Sequence, residues 1–400
     1  MKKKVIINTS TFVSSSKDNT PSFINSLIES LSKNYVDLEI IVLRPMKNFN
    51  ELPYEERGYR VIPYKYFWPL RYQNLHLYGL KPSIDKNKLN IIKVCFMILS
   101  QFFALLKIFK SEKPDYIYSQ WFMPQGFTTA LAINFSSAKF YCSSYGADVL
   151  IFKNIKFIGK RIIRYVVKKC DNFTAISQLN YSLIEECVGA RKEYLKKGKV
   201  IPLAIDDLFY KVEEYKPVNN NNFLYIGRLV DYKGVDLLID SLKLIDNKLE
   251  YKLNVLGDGV DKNILIEKVK DFKLENKIIF HGWKKNSEKI KYIIDSDVIF
   301  VPSVESKNTM EGGPLTLVEA LSQKKIVICS DSIGYGAYIK NGINGIKFES
   351  GKPESLVAAI NYYNNLTSAE KIKITEAGYE LSLKFQQKEI TDNLYNFLFK

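Results

Sequence analysis

A pair of glycines, Gly312 and Gly313, lies directly before a proline and a helical pattern. Pro314 is predicted at the first helical position, which leaves the backbone N–H groups of Leu315 and Thr316 without intrahelical partners. The glycines allow close backbone approach, and the helix dipole favours the negative charge of a diphosphate. The spacing therefore predicts a phosphate site at this helix end.

Two acids flank the predicted phosphate site: Glu311 precedes the glycines and Glu319 lies on the helix beyond them. Carboxylates are poor phosphate ligands but good hydrogen-bond acceptors for sugar hydroxyls. Spacing alone leaves the alternative open that Glu311 is a solvated loop acid and Glu319 a helix-surface acid.

Two cations and a glycine turn follow other predicted strands. Arg228 comes directly after a strand and Lys233 opens the next helix, so both could meet an anion. Gly257 and Gly259 form a tight turn that could bring backbone against a base. The alternatives are surface cations and a simple turn.

The elements that must position these residues alternate between short β-rich runs and helical patterns, which predicts an α/β fold with mainly parallel sheets. The alternation breaks at the polar region 203–222. We therefore predict two doubly wound Rossmann-like domains facing a central cleft. Predicted boundaries are a first domain 1–202, a linker 203–222, a second domain 223–380, and a C-terminal helix 381–400 that could return to the first domain.

Predicted strands in the two halves end near the residues of interest, and ligands of open parallel sheets bind at the carboxyl ends of strands. No Gly-x-Gly-x-x-Gly follows any strand, which disfavours a dinucleotide oxidoreductase. The strands are predicted at these positions: 4–7, 38–43, 116–119, 139–143, 172–175, 223–226, 252–256, 277–280, 298–301, 326–329 and 345–348.

The order of these motifs resembles that of the family 4 retaining glycosyltransferases, whose two-domain fold is named GT-B. The resemblance covers most of residues 223–348 and is looser in the first half. It implies that domain 1–202 binds the acceptor and that domain 223–380 binds the nucleotide-sugar donor. It is carried by the following residues: Gly227-Arg228-Leu229, Lys233-Gly234, Gly257, Gly259, Asp297, Pro302-Ser303, Glu311, Glu319, Asn341-Gly342 and, in the first half, Pro114-Asp115, Trp121 to Gly126 and Gly146-Ala147-Asp148.

The resemblance implies that Arg228 and Lys233 hold the donor diphosphate, Glu311 contacts the transferred sugar and Glu319 binds the ribose. Glu311, Arg228 and Lys233 are then the catalytic candidates. The implied donor-binding set is Arg228, Lys233, Gly257, Gly259, Gly312, Gly313, Leu315, Thr316 and Glu319.

On the acceptor side the sequence departs from the family, because Tyr145 and Gln120 stand where many members have histidine. A phenol cannot shuttle a proton at neutral pH as imidazole can, although it donates a hydrogen bond. In the front-face mechanism proposed for such enzymes the departing phosphate takes the acceptor's proton. The loop with Thr20 and Ser22 resembles the acceptor loop without its paired glycines, and Asp148 completes the acceptor candidates.

The cysteine and histidine content bears on disulfides, metal sites and cofactors. Five scattered cysteines without a Cys-x-x-Cys pair predict buried thiols, and two histidines disfavour a metal site. Asp295-Ser296-Asp297 matches a metal-binding pattern but lies between a helix and a strand, so a structural role is favoured. We expect no cofactor and no metal, with the nucleotide-sugar as a substrate.

The net charge of +15 favours anionic partners: phosphorylated metabolites, acidic lipids or nucleic acid. No nucleic-acid module is recognised, so no nucleic-acid partner is expected. The short apolar run after Met1 does not suit a signal peptide, which predicts a cytoplasmic protein.

Three segments bear on contact with a membrane. Residues 89–109 are strongly apolar with a narrow polar stripe, which favours a buried helix of the first domain over a membrane helix. Residues 153–169 predict a basic amphipathic helix, and residues 59–78 interleave aromatic and basic side chains. Peripheral binding at the cytoplasmic face of the plasma membrane and an ordinary solvated surface both stay open.

The leading hypothesis is a retaining hexosyltransferase that moves a sugar from a nucleotide-sugar, preferably UDP-linked, to a glycan or lipid-linked acceptor in cell-surface polysaccharide, capsule or lipopolysaccharide biosynthesis. The alternatives are a GDP-mannose-dependent mannosyltransferase and a non-catalytic sugar-nucleotide-binding scaffold subunit. The sequence does not identify the sugar, acceptor or linkage.

Overall fold

The computed structural model describes residues 2–12, 23–47, 51–75, 87–155, 158–211, 220–245, 249–305 and 309–400. The chain divides into two compact units. The first comprises Met1–Ile176, Asn180–Ile201 and Ile390–Lys400, and the second comprises Ser177–Leu179 and Pro202–Glu389. Thr20 and Ser22 lie outside the described residues.

Unit 1 is built on an eight-stranded sheet with the order β3-β4-β2-β1-β5-β6-β7-β8. All neighbours pair in parallel except β3, which runs antiparallel to β4. The strands are β1 Lys3–Asn8, β2 Leu38–Pro45, β3 Tyr54–Glu56, β4 Tyr59–Tyr64, β5 Tyr116–Gln120, β6 Lys139–Ser144, β7 Asn172–Ala175 and β8 Gly198–Val200.

Helices cover this sheet because the central strands are apolar on both faces and must be buried on both. Val5, Ile6 and Ile7 of β1 are all inaccessible to solvent. The helices of unit 1 are α1 Phe23–Asn34, α2 Asn90–Glu112, α3 Phe127–Ala132, α4 Ala147–Lys153, α5 Gly159–Lys169 and α6 Gln178–Val188.

Unit 2 is built on a six-stranded, fully parallel sheet with the order β11-β10-β9-β12-β13-β14. Its strands are β9 Asn222–Ile226, β10 Lys252–Leu256, β11 Ile278–Gly282, β12 Val298–Val301, β13 Ile326–Ser330 and β14 Ile346–Phe348. The helices between and after them are α7 Val235–Leu244, α8 Lys262–Asp271, α9 Asn286–Ile294, α10 Leu315–Ser322, α11 Pro353–Asn365, α12 Ser368–Ser382 and α13 Gln387–Leu398.

Two parallel sheets covered by helices confirm the predicted fold class of two Rossmann-like domains. The structure draws the boundaries differently within the predicted linker 203–222. Ile205 and Phe209 are buried in the core of unit 2, so the described residues of that linker up to 211 are part of this unit. Most of the last helix, α13, belongs to unit 1, because that unit includes Ile390–Lys400.

The basic helix α5 does not leave an apolar face free. Ile163, Val166 and Val167 are inaccessible to solvent in the core of unit 1, and Lys160 pairs with Glu186 at 2.8 Å. Of the two interpretations left open for residues 153–169, the structure favours the solvated basic face, because packing against the sheet buries the apolar side chains.

The expectation that all five cysteines are buried is corrected at one position. Cys95 on α2 is exposed, whereas Cys142, Cys170, Cys187 and Cys329 are buried. α2 itself is the one helix among the described residues that is long and apolar enough to cross a membrane by length and composition.

Candidate functional site

The carboxyl edge of the unit 2 sheet collects the residues predicted for donor binding. Arg228 follows β9, the glycine turn follows β10, and the segment containing Glu311 follows β12 and leads into α10. In a parallel sheet these loops all emerge at one edge. The structure therefore brings together residues that lie up to ninety positions apart in the chain.

Lys233 and Glu311 form a salt bridge at this edge. Both side chains are largely withdrawn from solvent, with 18% and 13% of their surface exposed, so the pair is less screened than a surface pair. An ammonium group has three donors, so Lys233 keeps donor capacity for a second anion while it holds the Glu311 carboxylate.

Arg228 is exposed and lies beside Tyr232. Its Nη2 donates to the Tyr232 hydroxyl at 2.6 Å, and its guanidinium stands 6.0 Å from the centre of the ring. The Lys233 ammonium is 5.6 Å from the same ring. Tyr232 thus orients both cations, a role that the sequence analysis did not assign to it.

Close backbone approach explains the glycines of these loops. Gly234 has a φ of +70°, and a Cβ there would lie 1.9 Å from the Pro302 carbonyl oxygen. A Cβ at Gly257 or Gly259 would lie 1.8 or 2.1 Å from a carbonyl oxygen of the loop after β9. These positions tie the loops after β9, β10 and β12 together, because any side chain would push them apart.

The segment before α10 is held by unit 2 itself. The Gly334 N–H donates to the Glu311 carbonyl at 2.8 Å, and a Cβ at Gly313 would lie 2.7 Å from the Tyr335 ring. Pro314 is the N-cap rather than the first helical residue, so the helix begins at Leu315, one residue later than predicted. Leu315 and Thr316 then occupy the first turn, whose N–H groups have no intrahelical acceptor.

Glu319 is buried within α10 and has an asymmetric environment. Its Oε1 accepts from Lys289 Nζ at 2.7 Å, whereas its Oε2 is buried and has no hydrogen-bond partner among the described residues. A buried carboxylate oxygen without a donor is costly, and native proteins tolerate it mainly where a ligand or water completes the bonding. Lys289, on α9, is a second residue that sequence reasoning missed.

The acceptor-side candidates Gln120, Tyr145 and Asp148 come together in unit 1. The Tyr145 hydroxyl donates to Gln120 Oε1, and the Gln120 Nε2 is buried without a partner in the described part of the chain. Burial raises the pKa of the Tyr145 phenol well above its usual value. Tyr145 is thus a hydrogen-bond donor that stays protonated near neutral pH.

Asp148 fastens the loops after β5 and β6. Its Oδ2 accepts from the Phe122 N–H at 2.6 Å, and its Oδ1 accepts from the Ser144 hydroxyl at 3.0 Å and the Tyr145 N–H at 3.2 Å. Burial raises the pKa of the Asp148 carboxyl, although these hydrogen bonds act in the opposite direction. The geometry gives Asp148 a positioning role beside Tyr145.

Asp297 and the histidine His281 both have partners within unit 2. Asp297 Oδ2 accepts from the Asn222 N–H at 2.9 Å and so fixes the start of β9 beside β12. His281 is hydrogen-bonded to Asn254 at 2.8 Å and to Tyr292 at 3.3 Å. Both residues therefore support strands of unit 2.

Comparison with known proteins finds glycosyltransferases that are similar to this chain. Residues 207–380 match the family model of the glycosyl transferases group 1. An uncharacterised glycosyltransferase of Methanocaldococcus jannaschii is 29% identical over 283 residues, which cover 70% of this chain and 73% of that protein. A Bacillus subtilis protein named as a proposed teichuronic acid biosynthesis glycosyltransferase, TuaC, is 23% identical across 98% of this chain and 92% of its own.

A solved structure shows the same fold over the whole chain. HepE of Anabaena, crystallised in complex with UDP, superposes with a TM-score of 0.72 at 16% identity and covers 99% of both chains. At this identity the likeness concerns the fold.

Proposed function

We propose that the protein, whose residues 207–380 match the model of the glycosyl transferases group 1, is a glycosyltransferase that transfers a sugar from a UDP-sugar, with retention of anomeric configuration, to a glycan or lipid-linked acceptor of a cell-surface polysaccharide. The polysaccharide class is supported by the name of the Bacillus relative, TuaC. The choice of UDP is supported by HepE, whose structures contain UDP and UDP-glucose.

The observation that carries the proposal is the buried Glu319 carboxylate with one oxygen unpartnered among the described residues. A ribose offers two neighbouring hydroxyl donors, which match a carboxylate acceptor. Lys289 holds the other oxygen and so orients the carboxylate. We assign Glu319 to the ribose of the donor nucleotide.

The diphosphate is assigned to Arg228, Lys233 and the first turn of α10. Within this set the charges of Lys233 and Glu311 compensate each other, and Arg228 has no carboxylate within ion-pair distance among the described residues. Arg228 thus supplies the free positive charge, and the N–H groups of Leu315 and Thr316 supply uncharged donors at the helix end. Gly312 and Gly313 let the phosphates approach the backbone.

This arrangement neutralises a leaving diphosphate with side-chain cations and a helix end, and we propose that transfer needs no metal. Among the described residues no group of three or more His, Cys, Asp or Glu side chains lies close enough to hold a metal ion. The chemistry expected of a metal here, stabilisation of the departing phosphate, falls to Arg228 and Lys233.

In the proposed step the acceptor hydroxyl attacks the anomeric carbon on the face from which the diphosphate leaves. The bond between the anomeric carbon and the phosphate oxygen breaks, a bond to the acceptor oxygen forms, and a phosphate oxygen takes the acceptor's proton. The protonated Tyr145 is consistent with this route, because no side-chain base is then required at its position. Glu311, held by Lys233, is assigned to the hydroxyls of the transferred sugar.

Thermal unfolding with UDP, GDP and ADP in turn tests the donor assignment. A nucleotide that binds only the folded state, at about 100 times its dissociation constant, adds about 2.7 kcal/mol to the free energy of unfolding. We expect a rise in Tm with UDP that exceeds the rise with GDP or ADP. A larger rise with GDP would favour the mannosyltransferase alternative, and no rise with any nucleotide would favour the scaffold alternative.

A further inference from the structure

The helix α2 has two apolar faces, and among the described residues of unit 1 only one of them is packed into the core. Its buried face carries Val94, Met97, Leu105, Ile108 and Phe109, which pack into the core beneath the sheet. The buried face thus ties the helix to the domain along its whole length.

A polar contact fixes the helix further. The Gln101 side chain, inaccessible to solvent, donates from Nε2 to Asn8 Oδ1 at 2.8 Å. Removing α2 from the domain would leave the Asn8 carboxamide oxygen buried without this donor, which is costly. The helix therefore stays on the domain and does not cross a bilayer, despite its length and apolar composition.

The opposite face of α2 is apolar and exposed. Ile92, Phe96, Leu99 and Phe103 recur every three or four residues, so they form one stripe about 16 Å long at 1.5 Å per residue. Leu99 is 57% and Phe103 61% exposed. The expectation that residues 89–109 form a buried helix therefore holds for one face only.

Aromatic side chains extend this stripe on both sides. Phe67 packs edge-on against Phe96, with ring centres 5.4 Å apart, and the next residue, Trp68, is 79% exposed. On the other side Phe135, also exposed, lies 6.3 Å from Phe102. We name the exposed set Trp68, Ile92, Phe96, Leu99, Phe103 and Phe135 the α2 face.

The charged residues in the described segments around the α2 face are mostly cationic. Residues 59–75 and 87–111 contain seven Lys or Arg residues and no Asp or Glu. Arg60 is neutralised by Glu112, whereas the exposed cations Lys65, Arg71, Lys88, Lys107 and Lys110 have no ion pair among the described residues. The apolar stripe is thus rimmed by cations, and Lys107 and Lys110 continue it at the helix end.

We propose that the α2 face docks on an anionic lipid bilayer, with the apolar stripe in the interfacial region and the flanking cations on lipid head groups. Apolar side chains, an exposed tryptophan and a basic rim are the combination that binds helices in the plane of anionic membranes. A second copy of the chain fits less well, because its own cationic rim would oppose the first. The inference is independent of the proposed sugar transfer, since it uses no residue of the donor or acceptor sites.

Cys95 provides a reporter on this helix. It is exposed between Ile92 and Phe96, whereas the other four cysteines are buried. A thiol-reactive, environment-sensitive fluorophore will therefore label Cys95 selectively. We expect its emission to shift to the blue and intensify with vesicles in which about a third of the lipid is phosphatidylglycerol, and to change little with phosphatidylcholine alone.

Matched variants connect the binding to the α2 face. We expect Leu99→Ser with Phe103→Ser to weaken co-flotation of the unlabelled protein with anionic vesicles about tenfold or more, because two side chains lose their burial in lipid. Ile264→Ser is the control, since Ile264 is 63% exposed on α8 of the other unit and should leave flotation unchanged. Circular dichroism will show that the variants remain folded, because the replaced side chains are exposed.

A charge variant tests the second half of the proposal. Lys107→Gln with Lys110→Gln should weaken flotation with anionic vesicles about tenfold, and the control Lys270→Gln should not change it. Failure of the wild-type protein to bind anionic vesicles would overturn the proposal, as would equal binding by the serine variant. Formation of a dimer by the wild type that the serine variant lacks, with a Cys95 disulfide between copies, would assign the α2 face to a second copy instead. None of these outcomes depends on nucleotide binding.

Discussion

Replacing Glu319 by glutamine tests the donor assignment most sharply, because the substitution removes the charge while nearly preserving shape. The Glu319 carboxylate is buried, with one oxygen on Lys289 at 2.7 Å and the other without a donor among the described residues. In the free protein the second oxygen therefore gains nothing from its neighbours. In the nucleotide complex we assign it one hydroxyl of the ribose.

The magnitude follows from the energy of a charge-assisted hydrogen bond. Such a bond contributes about 1.5–3 kcal/mol, so Glu319→Gln should raise the dissociation constant of UDP about 10- to 150-fold. Isothermal titration calorimetry with UDP measures this directly. The variant also leaves the ammonium of Lys289 without its charged partner, so the titration must be made well below the lowered Tm.

A double-mutant cycle separates a direct contact from a general disturbance. UDP and 2′-deoxy-UDP are titrated into wild type and Glu319→Gln. If loss of the 2′-hydroxyl and loss of the carboxylate together weaken binding by less than the sum of their separate effects, the two groups share one interaction. Glu288→Gln is the matched control, because Glu288 is an exposed acid that pairs with Lys284 on the solvent side of α9. Equal UDP affinity in wild type and Glu319→Gln, or strictly additive losses, would refute the ribose assignment.

Three further variants test the positioning of the site and its support. Tyr232→Phe removes the hydroxyl that holds Arg228 and should raise KM for the donor several-fold with little change in kcat. Steady-state kinetics measure both constants, and an unchanged KM would contradict the positioning role of Tyr232. Gly234→Ala should lower the free energy of unfolding in urea by about 2–5 kcal/mol, because strain at positive φ adds to the backbone clash. The control Gly351→Ala should lower it by only about 1–2 kcal/mol, because Gly351 has a φ of +74° but no atom near the added Cβ. Equal losses in the two variants would contradict the close approach at Gly234. Burial lowers the pKa of His281 below 6.5, so the unfolded state binds the proton first and stability falls as pH drops through and below 6.5. His281→Asn should therefore lose less Tm than wild type between pH 7.5 and about 5.5, and an identical loss would contradict this.

The strands of both sheets could be predicted from the sequence because buried parallel strands are short continuous apolar runs. The predicted and observed bounds agree for Asn172–Ala175, Lys252–Leu256 and Val298–Val301. Three strands of unit 1 were missed: β3 and β8 lie at the sheet edges, β4 lies beside β3, and all three contain charged or polar residues and lack a long apolar run. Their pairing is set by the neighbouring strand rather than by their own pattern.

The residues of the candidate site that belong to local motifs could be predicted from the sequence. Glycine turns, a helix start and cations after strands are encoded within a few residues, so Arg228, Lys233, Glu311 and Glu319 could be found. Lys289 could not, because its partner lies thirty residues further along the chain and the contact depends on how α9 and α10 pack. No local signal distinguishes it from its lysine neighbours.

Periodicity also does not tell how many faces of a helix are covered. The apolar pattern of α2 predicted burial, yet only one face packs on the sheet and Phe103 remains exposed. Conversely, the basic pattern of α5 left a docking face and a solvated face both open, and the structure places Ile163 and Val166 in the core. Both differences arise because hydrophobicity reports what a side chain prefers, and the tertiary packing decides which neighbour it finds.

The central claim is transfer of a sugar from a UDP-sugar with retention of configuration. It is tested most directly by supplying the purified protein with UDP-sugars and acceptor-containing membranes, measuring UDP release, and determining the anomeric configuration of the new linkage by nuclear magnetic resonance. We expect UDP release that Arg228→Ala strongly reduces, and an α-linkage formed from an α-linked donor. A β-linkage, or turnover of GDP-mannose with no UDP-sugar consumed, would contradict it.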